Sequence, residues 1–145
     1  HRDDPGLFLG SVEGETIHPV SEEWFQTGDM VEMMVDGAIV SHGRADDMLN
    51  AGGFRVSPAE IESALNSHPA VVSSAAVEVT VKADTTVIAL FYTGAATKEA
   101  LAAYAEGLLA RYKQPRIYIR RDAIPVTANG KTNRRALREE WKAGK

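Results

Sequence analysis

The sequence contains no cysteine, which rules out disulfide crosslinks and thiolate metal ligands. Its four histidines, His1, His18, His42 and His68, are scattered and give no metal-ligand spacing. No apolar run approaches the ~20 residues that a bilayer-spanning helix requires. The start, His1-Arg2-Asp3-Asp4-Pro5-Gly6, lacks the basic and apolar regions of a signal peptide. With no initiator methionine, the sequence is expected to begin mid-protein, and a cytoplasmic location fits the missing cysteines. Aromatic residues are 7% of the chain and few of them interleave its basic stretch, so no nucleic-acid partner is expected. No nucleophile–base arrangement points to a hydrolase, and neither internal repeats nor low-complexity tracts occur.

What is present is an ordinary globular balance. The 145 residues are 44% hydrophobic and 25% charged, enough for one domain, or one small domain with part of another. Charge is distributed unevenly. Residues 1–110 carry 5 Lys/Arg and 17 Asp/Glu, whereas residues 111–145 carry 11 Lys/Arg and 3 Asp/Glu. A basic end on an acidic body suits a phosphate-bearing ligand, although a solvated basic helix would look the same.

Local patterns give an α+β reading. Residues 31–35 and 38–41 flank Asp36-Gly37, a dipeptide that favours a two-residue hairpin turn. Residues 43–46 read as a linker. Residues 48–50 and 54–56 form a second short hairpin around Gly52-Gly53. A helix follows, with Ser57 as N-cap, Pro58 at its first position and Glu60 completing a capping box. Ile61, Ala64 and Leu65 face one side, and His68-Pro69 ends it. Residues 71–81 and 86–92 are strands rich in β-branched residues. Thr97 caps a second helix whose Leu101, Leu108 and Leu109 lie near one face. Residues 117–119 form a short strand. Asn133 caps a last helix carrying Leu137 and Trp141 at i,i+4.

Four places carry residues suited to chemistry. In Thr27-Gly28-Asp29 a carboxylate follows a glycine, and a carboxylate accepts hydrogen bonds from two neighbouring hydroxyls, as on a ribose. Alone, such an aspartate equally caps its own turn. Arg44 offers a fork of donors to ribose or phosphate oxygens, and Asp46-Asp47 follow it. Gly52-Gly53 permit either a plain hairpin turn or close backbone approach to a ligand. Arg55 beside them suits an ion pair or a phosphate contact. Gly130-Lys131 leaves an ammonium on an exposed loop, where it can neutralise anions.

Three segments in this order, Trp24-Phe25-Gln26-Thr27-Gly28-Asp29, Gly43-Arg44-Ala45-Asp46-Asp47-Met48-Leu49-Asn50-Ala51-Gly52-Gly53-Phe54-Arg55-Val56 and Pro125-Val126-Thr127-Ala128-Asn129-Gly130-Lys131, resemble the C-terminal end of the adenylate-forming enzymes. That superfamily includes acyl-CoA synthetases, aryl-CoA ligases, luciferases and peptide-synthetase adenylation domains. The resemblance implies a small mobile lid domain, a mixed sheet with about three helices, preceded by a β-rich tail of a large AMP-binding domain. It implies boundaries at 1–43 for that tail, 44–46 for a hinge and 47–145 for the lid. Asp29 and Arg44 would bind the nucleotide, and Asp46 would be the hinge. Ala51, Gly52, Gly53, Phe54 and Arg55 would line the pantetheine tunnel. Lys131 would be the catalytic lysine of adenylation.

The implied ligands are ATP/AMP, CoA, a small-molecule carboxylate and Mg2+, the last held mainly by the large domain, with no metal site in this chain. The implied partners are the chain's own large domain and a lysine acetyltransferase and deacetylase acting at Lys131, where acetylation would remove the charge. The phosphate loop and acyl pocket lie upstream in the family, so this stretch alone is expected to be inactive. Asp46-Asp47-Met48-Leu49-Asn50 looks like the acyl-CoA branch. The alternatives are a peptide-synthetase domain loading a carrier-protein thiol, and a non-catalytic nucleotide-binding module. Three departures stand out. Residues 10–23 are shorter than usual, the Gly-x-Pro-Asp loop between the central strands is missing, and Thr132-Asn133 replace an aliphatic pair. Arg111-Tyr112-Lys113 reads as structural, with a contact to CoA phosphates as the alternative.

Overall fold

A computed structural model describes residues 10–13, 16–19, 27–82 and 85–144. Trp24-Phe25-Gln26 and Ala83-Asp84 lie outside them. The first two strands, β1 (Gly10–Glu13) and β2 (Thr16–Pro19), form an antiparallel hairpin. A second hairpin pairs β3 (Asp29–Met33) with β4 (Ile39–Arg44). Its turn is not the expected two-residue one. The Gly37 amide donates to the Met34 carbonyl at 2.9 Å and the Met34 amide to the Ala38 carbonyl at 2.8 Å, enclosing three residues. Gly37 takes a left-handed φ of 85°, and Asp36 Oδ1 accepts from the Ala38 amide at 3.0 Å. Three-residue loops place a glycine at this closing position, so one left-handed residue suffices where a type I′ two-residue turn needs two.

The expected linker at 43–46 is structured too. β4 runs through Gly43 and Arg44 and passes directly into a 3-10 turn, Ala45–Asp47. A third hairpin follows, β5 (Leu49–Ala51) with β6 (Phe54–Val56), closed as expected by Gly52 and Gly53 at φ 59° and 91°.

The centre is a three-stranded sheet. β7 (Val71–Lys82) and β8 (Thr85–Gly94) are antiparallel. β9 (Ile117–Arg120) lies parallel to β8, a pairing that requires a crossover, which helix α2 (Lys98–Leu108) supplies. Both faces of the sheet are covered, which explains why Ile88, Ala89, Leu90, Phe91 and Tyr92 are consecutively apolar and all buried. Alternate side chains serve two cores. Ala76, Ile88, Leu90 and Tyr92 join Leu49, Val56, Ile61 and Leu65 on one face. Ala75, Val77, Val79, Ala89 and Phe91 meet Leu137 on the other.

The helices follow their caps unevenly. In α1 (Pro58–Asn66), Pro58, Ile61 and Leu65 are buried, but the Ser57 side chain makes no capping bond. Among the described residues no bond from Glu60 closes the capping box; its carboxylate accepts from Lys113 Nζ at 2.5 Å. A cation 53 residues away outcompetes a local amide, since a charge-assisted bond is the stronger one. In α2 the Thr97 cap forms at 3.2 Å to the Ala100 amide. The buried face there is Leu101 and Ala105, whereas Leu108 is exposed. Leu109 reaches the core only because the chain leaves the helix there. In α3 (Arg134–Ala143) the Asn133 side chain accepts from the Ala136 amide at 3.1 Å. Leu137 is fully buried, and Trp141 packs beside it and donates its Nε1–H to the Thr80 carbonyl at 3.0 Å.

Candidate functional site

The register of the second hairpin sets the first corner of the site. Met33↔Ile39, Glu32↔Val40 and Val31↔Ser41 pair evenly, then the register slips, giving Met30↔Gly43 and Asp29↔Arg44. His42 is the extra residue of a bulge, and Gly43 follows it at φ 92°. Without the bulge Gly43 would face Asp29, and with it Arg44 does. Arg44 Nη1 lies 3.9 Å from Asp29 Oδ1 and donates to the Thr27 carbonyl at 3.1 Å. Both side chains are about half exposed, at 48% and 49%. Gly28 runs at φ 80° beneath the guanidinium, and a Cβ there would come within 3.0 Å of Nη2. The result is an open carboxylate acceptor beside a fork of donors, the complement of a diol next to a phosphate.

The 3-10 turn is held on both sides. The Ala45 amide donates to the Gly28 carbonyl at 2.8 Å, and Arg55 Nη2 donates to the Ala45 carbonyl at 2.7 Å. Arg55 therefore braces the backbone at the expected hinge. Asp46 sits at the middle of this turn.

Lys131 closes a small turn of its own. The Thr127 amide donates to the Lys131 carbonyl at 2.7 Å, the Gly130 amide to the Thr127 carbonyl at 2.9 Å, and Gly130 adopts φ 74°. Thr127 Oγ1 also accepts from the Lys131 amide at 3.3 Å, and Val126 bridges Thr132. The backbone is thus fixed while the side chain is exposed. Among the described residues no hydrogen bond or ion pair joins Lys131 to Asp29, Arg44 or residues 51–55.

Two residues below Lys131, the Asn133 amide donates to the Pro125 carbonyl at 2.8 Å, and the next residue begins α3. That residue, Arg134, is the centre of an ion cluster with no local sequence signature, since its partners are 72 and 87 residues away. Its Nη2 meets both oxygens of Glu62 at 2.7 and 2.9 Å, and its Nη1 lies 3.9 Å from Asp47 Oδ2. Arg134 and Glu62 are mostly buried, at 16% and 15% exposure.

The expected tunnel residues divide. Ala51, Gly52 and Phe54 line a cleft of about 310 Å³ with Ile88, Arg111, Tyr112 and Arg116. The rings of Phe54 and Tyr112 lie 4.7 Å apart at 33°. Lys113 Nζ sits 5.6 Å from the Tyr112 ring centre. The Glu60 carboxylate bonded to it holds that ammonium above the usual lysine range, against the opposing effect of burial. Lys113 is thus structural, as expected for the whole tripeptide, but Arg111 and Tyr112 face the cleft. Exposed rings flanked by two arginines suit a heteroaromatic ring with phosphates. Among the described residues no three Asp, Glu or His side chains converge to hold a metal ion.

Comparison with known proteins identifies the family of the chain. Residues 60–131 match the AMP-binding enzyme C-terminal domain family. The chain is 35% identical over 146 residues to a linear gramicidin synthase of Brevibacillus parabrevis, covering 94% of this chain and 3% of that protein. It is 39% identical over 123 residues to benzoate–CoA ligase of Thauera aromatica, covering 80% of this chain and 23% of the ligase. Among solved structures, the anthranilate CoA ligase AuaEII in complex with anthranoyl-AMP superposes with a TM-score of 0.77 at 31% identity, over 86% of this chain and 26% of that one. The chain therefore spans about a quarter of the CoA ligases that it matches and a few per cent of the peptide synthetase. Both the sequence and the fold place it in the adenylate-forming superfamily, as the C-terminal domain of an AMP-binding enzyme.

Proposed function

We propose that this chain is the lid region of an acyl-CoA synthetase. In the first step a carboxylate oxygen attacks the α-phosphorus of ATP, and pyrophosphate leaves, giving acyl-AMP. In the second, the CoA sulfur attacks the acyl carbon, AMP leaves with the bond electrons, and the thiol proton goes to solvent. Residues 1–43 belong to the large domain, 44–46 are the hinge and 47–145 move. The observation that carries this reading is the bulge that sets Arg44 opposite Asp29. It builds a ribose-and-phosphate corner immediately before Asp46. Asp29 accepts from the ribose hydroxyls, Arg44 donates to phosphate, and Lys131 offsets the charge where two anions meet. Residues 51–55 guide the pantetheine arm, and the Arg111–Arg116 cleft takes the nucleotide end of CoA. When bound, Mg2+ neutralises phosphate charge, and its ligands belong mainly to the large domain.

The test is AMP release by the longer protein that carries this chain, with ATP and a panel of carboxylates, with and without CoA. The reading expects release that depends on both a carboxylate and CoA. A second reading has a specific observation behind it, the 35% identity to the gramicidin synthase. Release that requires a pantetheinylated carrier protein instead of CoA would establish that one. ATP binding without turnover under either condition would leave a non-catalytic module.

The cleft gives a separate prediction. Phe54→Ala removes the ring that stacks near Tyr112. The KM for CoA should rise about five- to tenfold, the worth of one aromatic contact. Carboxylate-dependent ATP–pyrophosphate exchange, which needs no CoA, should stay at the wild-type level.

A further inference from the structure

We propose that Arg134 is a positioning residue that couples the segment after Asp46 to the Lys131 turn, so that rotation at the hinge carries Lys131 with it. The proposal rests on the reading of Asp46 as hinge and Lys131 as the adenylation lysine. Three connections carry it. Arg134 lies three residues beyond Lys131, and the intervening chain is tied back at Val126↔Thr132 and at Asn133 to Pro125. The guanidinium then reaches two places. One is Glu62 on α1, whose Oε1 also accepts from the Ala76 amide of β7 at 2.8 Å, so that Glu62 is anchored to the central sheet. The other is Asp47, the residue directly after Asp46 and the last of the 3-10 turn.

A planar fork is required for this. Nη2 serves Glu62 while Nη1 faces Asp47, and a lysine ammonium at one point could not hold both. A hinge alone turns a domain only as stiffly as the residues beside it are held. Between Asp47 and the Lys131 turn, Arg134 supplies a direct link across 87 residues of sequence. A misplacement of about 1 Å at a reacting centre can cost on the order of a hundredfold in rate, so a loosened link should show in the step that uses Lys131.

The experiment uses the longer protein with Asp47→Asn, Arg134→Lys and Arg134→Gln. Asp47→Asn is the sharper variant, because the Asp47 side chain is 44% exposed and its loss leaves the buried Arg134–Glu62 pair in place. It keeps the proposal testable even if Arg134→Gln fails to fold. Two half-reactions are read: ATP–pyrophosphate exchange with the carboxylate substrate, and thioester formation from purified acyl-AMP and CoA. Asp47→Asn and Arg134→Lys are expected to lower exchange about tenfold with the KM for ATP little changed, and to leave thioester formation near wild type. Equal loss in both half-reactions, together with a lowered unfolding temperature, would make Arg134 merely structural and overturn the proposal. Wild-type exchange in Asp47→Asn would overturn it too, while leaving the adenylation reading intact. Absence of exchange in the wild-type protein would remove that reading and the proposal together.

Discussion

Lys131→Ala is expected to lower carboxylate-dependent ATP–pyrophosphate exchange by about 100- to 1000-fold, the range found when one preorganised transition-state donor is removed. The carboxylate and the α-phosphate are both anions, and their approach concentrates negative charge where the new bond forms. An ammonium on a long stem can sit between them, and a methyl group cannot. The location of the ammonium is set by backbone geometry that the substitution leaves alone, because the Thr127–Lys131 turn is closed by main-chain bonds and by Gly130. The side chain is exposed, so stability should change by no more than about 0.5 kcal/mol, and the loss would be chemical. Lys131→Arg should recover little, since a broad delocalised fork does not replace a compact charge. Thioester formation from supplied acyl-AMP should remain within about threefold of wild type, because neither reacting atom then faces a second anion. Exchange that persists in Lys131→Ala would remove this lysine from the mechanism.

The parts of the fold that local chemistry decides were legible in the sequence. Gly52-Gly53 supplied two left-handed residues and closed a two-residue turn. Thr97 and Asn133 capped α2 and α3 as their side chains predict. Residues 71–81 and 86–92 lie in the two long strands that their β-branched residues predict. The failures at Glu60 and Leu108 share a cause, which is competition from residues far along the chain. Glu60 had a nearby amide to cap, and Lys113 took its carboxylate. Leu108 fits the helical spacing of Leu101, but α1 and the sheet cover a face centred on Ala105, leaving Leu108 in solvent.

The site shows the same division. Asp29, Arg44 and Lys131 stand in motifs that the sequence itself displays. The bulge at His42 that sets Arg44 against Asp29 was not, because a one-residue slip is decided by pairing across the whole hairpin. Its faint signal is Gly43, a residue suited to the positive φ that the bulge requires. Asp47 stood inside a motif and Glu62 in none, but nothing local paired either acid with Arg134, which reaches them from 87 and 72 residues away.

Gly94→Ala should be the most damaging glycine-to-alanine change among the described residues. Gly94 ends β8 at φ 120°, a conformation that L side chains rarely adopt. An added Cβ would stand 2.3 Å from the Ala70 carbonyl oxygen and 3.1 Å from Val71 Cα. Both neighbours are backbone, so neither can swing aside as a side-chain tip would. The Ala70 carbonyl also accepts from the Ala95 amide at 2.9 Å and the Ala96 amide at 3.1 Å. Moving it breaks the contacts that turn the chain from β8 toward α2, and Ala96 belongs to the core. Backbone strain of about 1–3 kcal/mol and overpacking of similar size act together here. Against a total stability of roughly 5–15 kcal/mol, their sum of about 2–6 kcal/mol is a large fraction. Urea unfolding followed by circular dichroism should therefore show a clearly lower midpoint with an unchanged slope. Gly130→Ala is the control. It shares a positive φ, 74°, but a Cβ there meets nothing within 4 Å, so only the strain of about 1 kcal/mol remains. Equal midpoints for the two variants would mean that the Ala70 carbonyl yields freely and that the strand end is held by something other than this close approach.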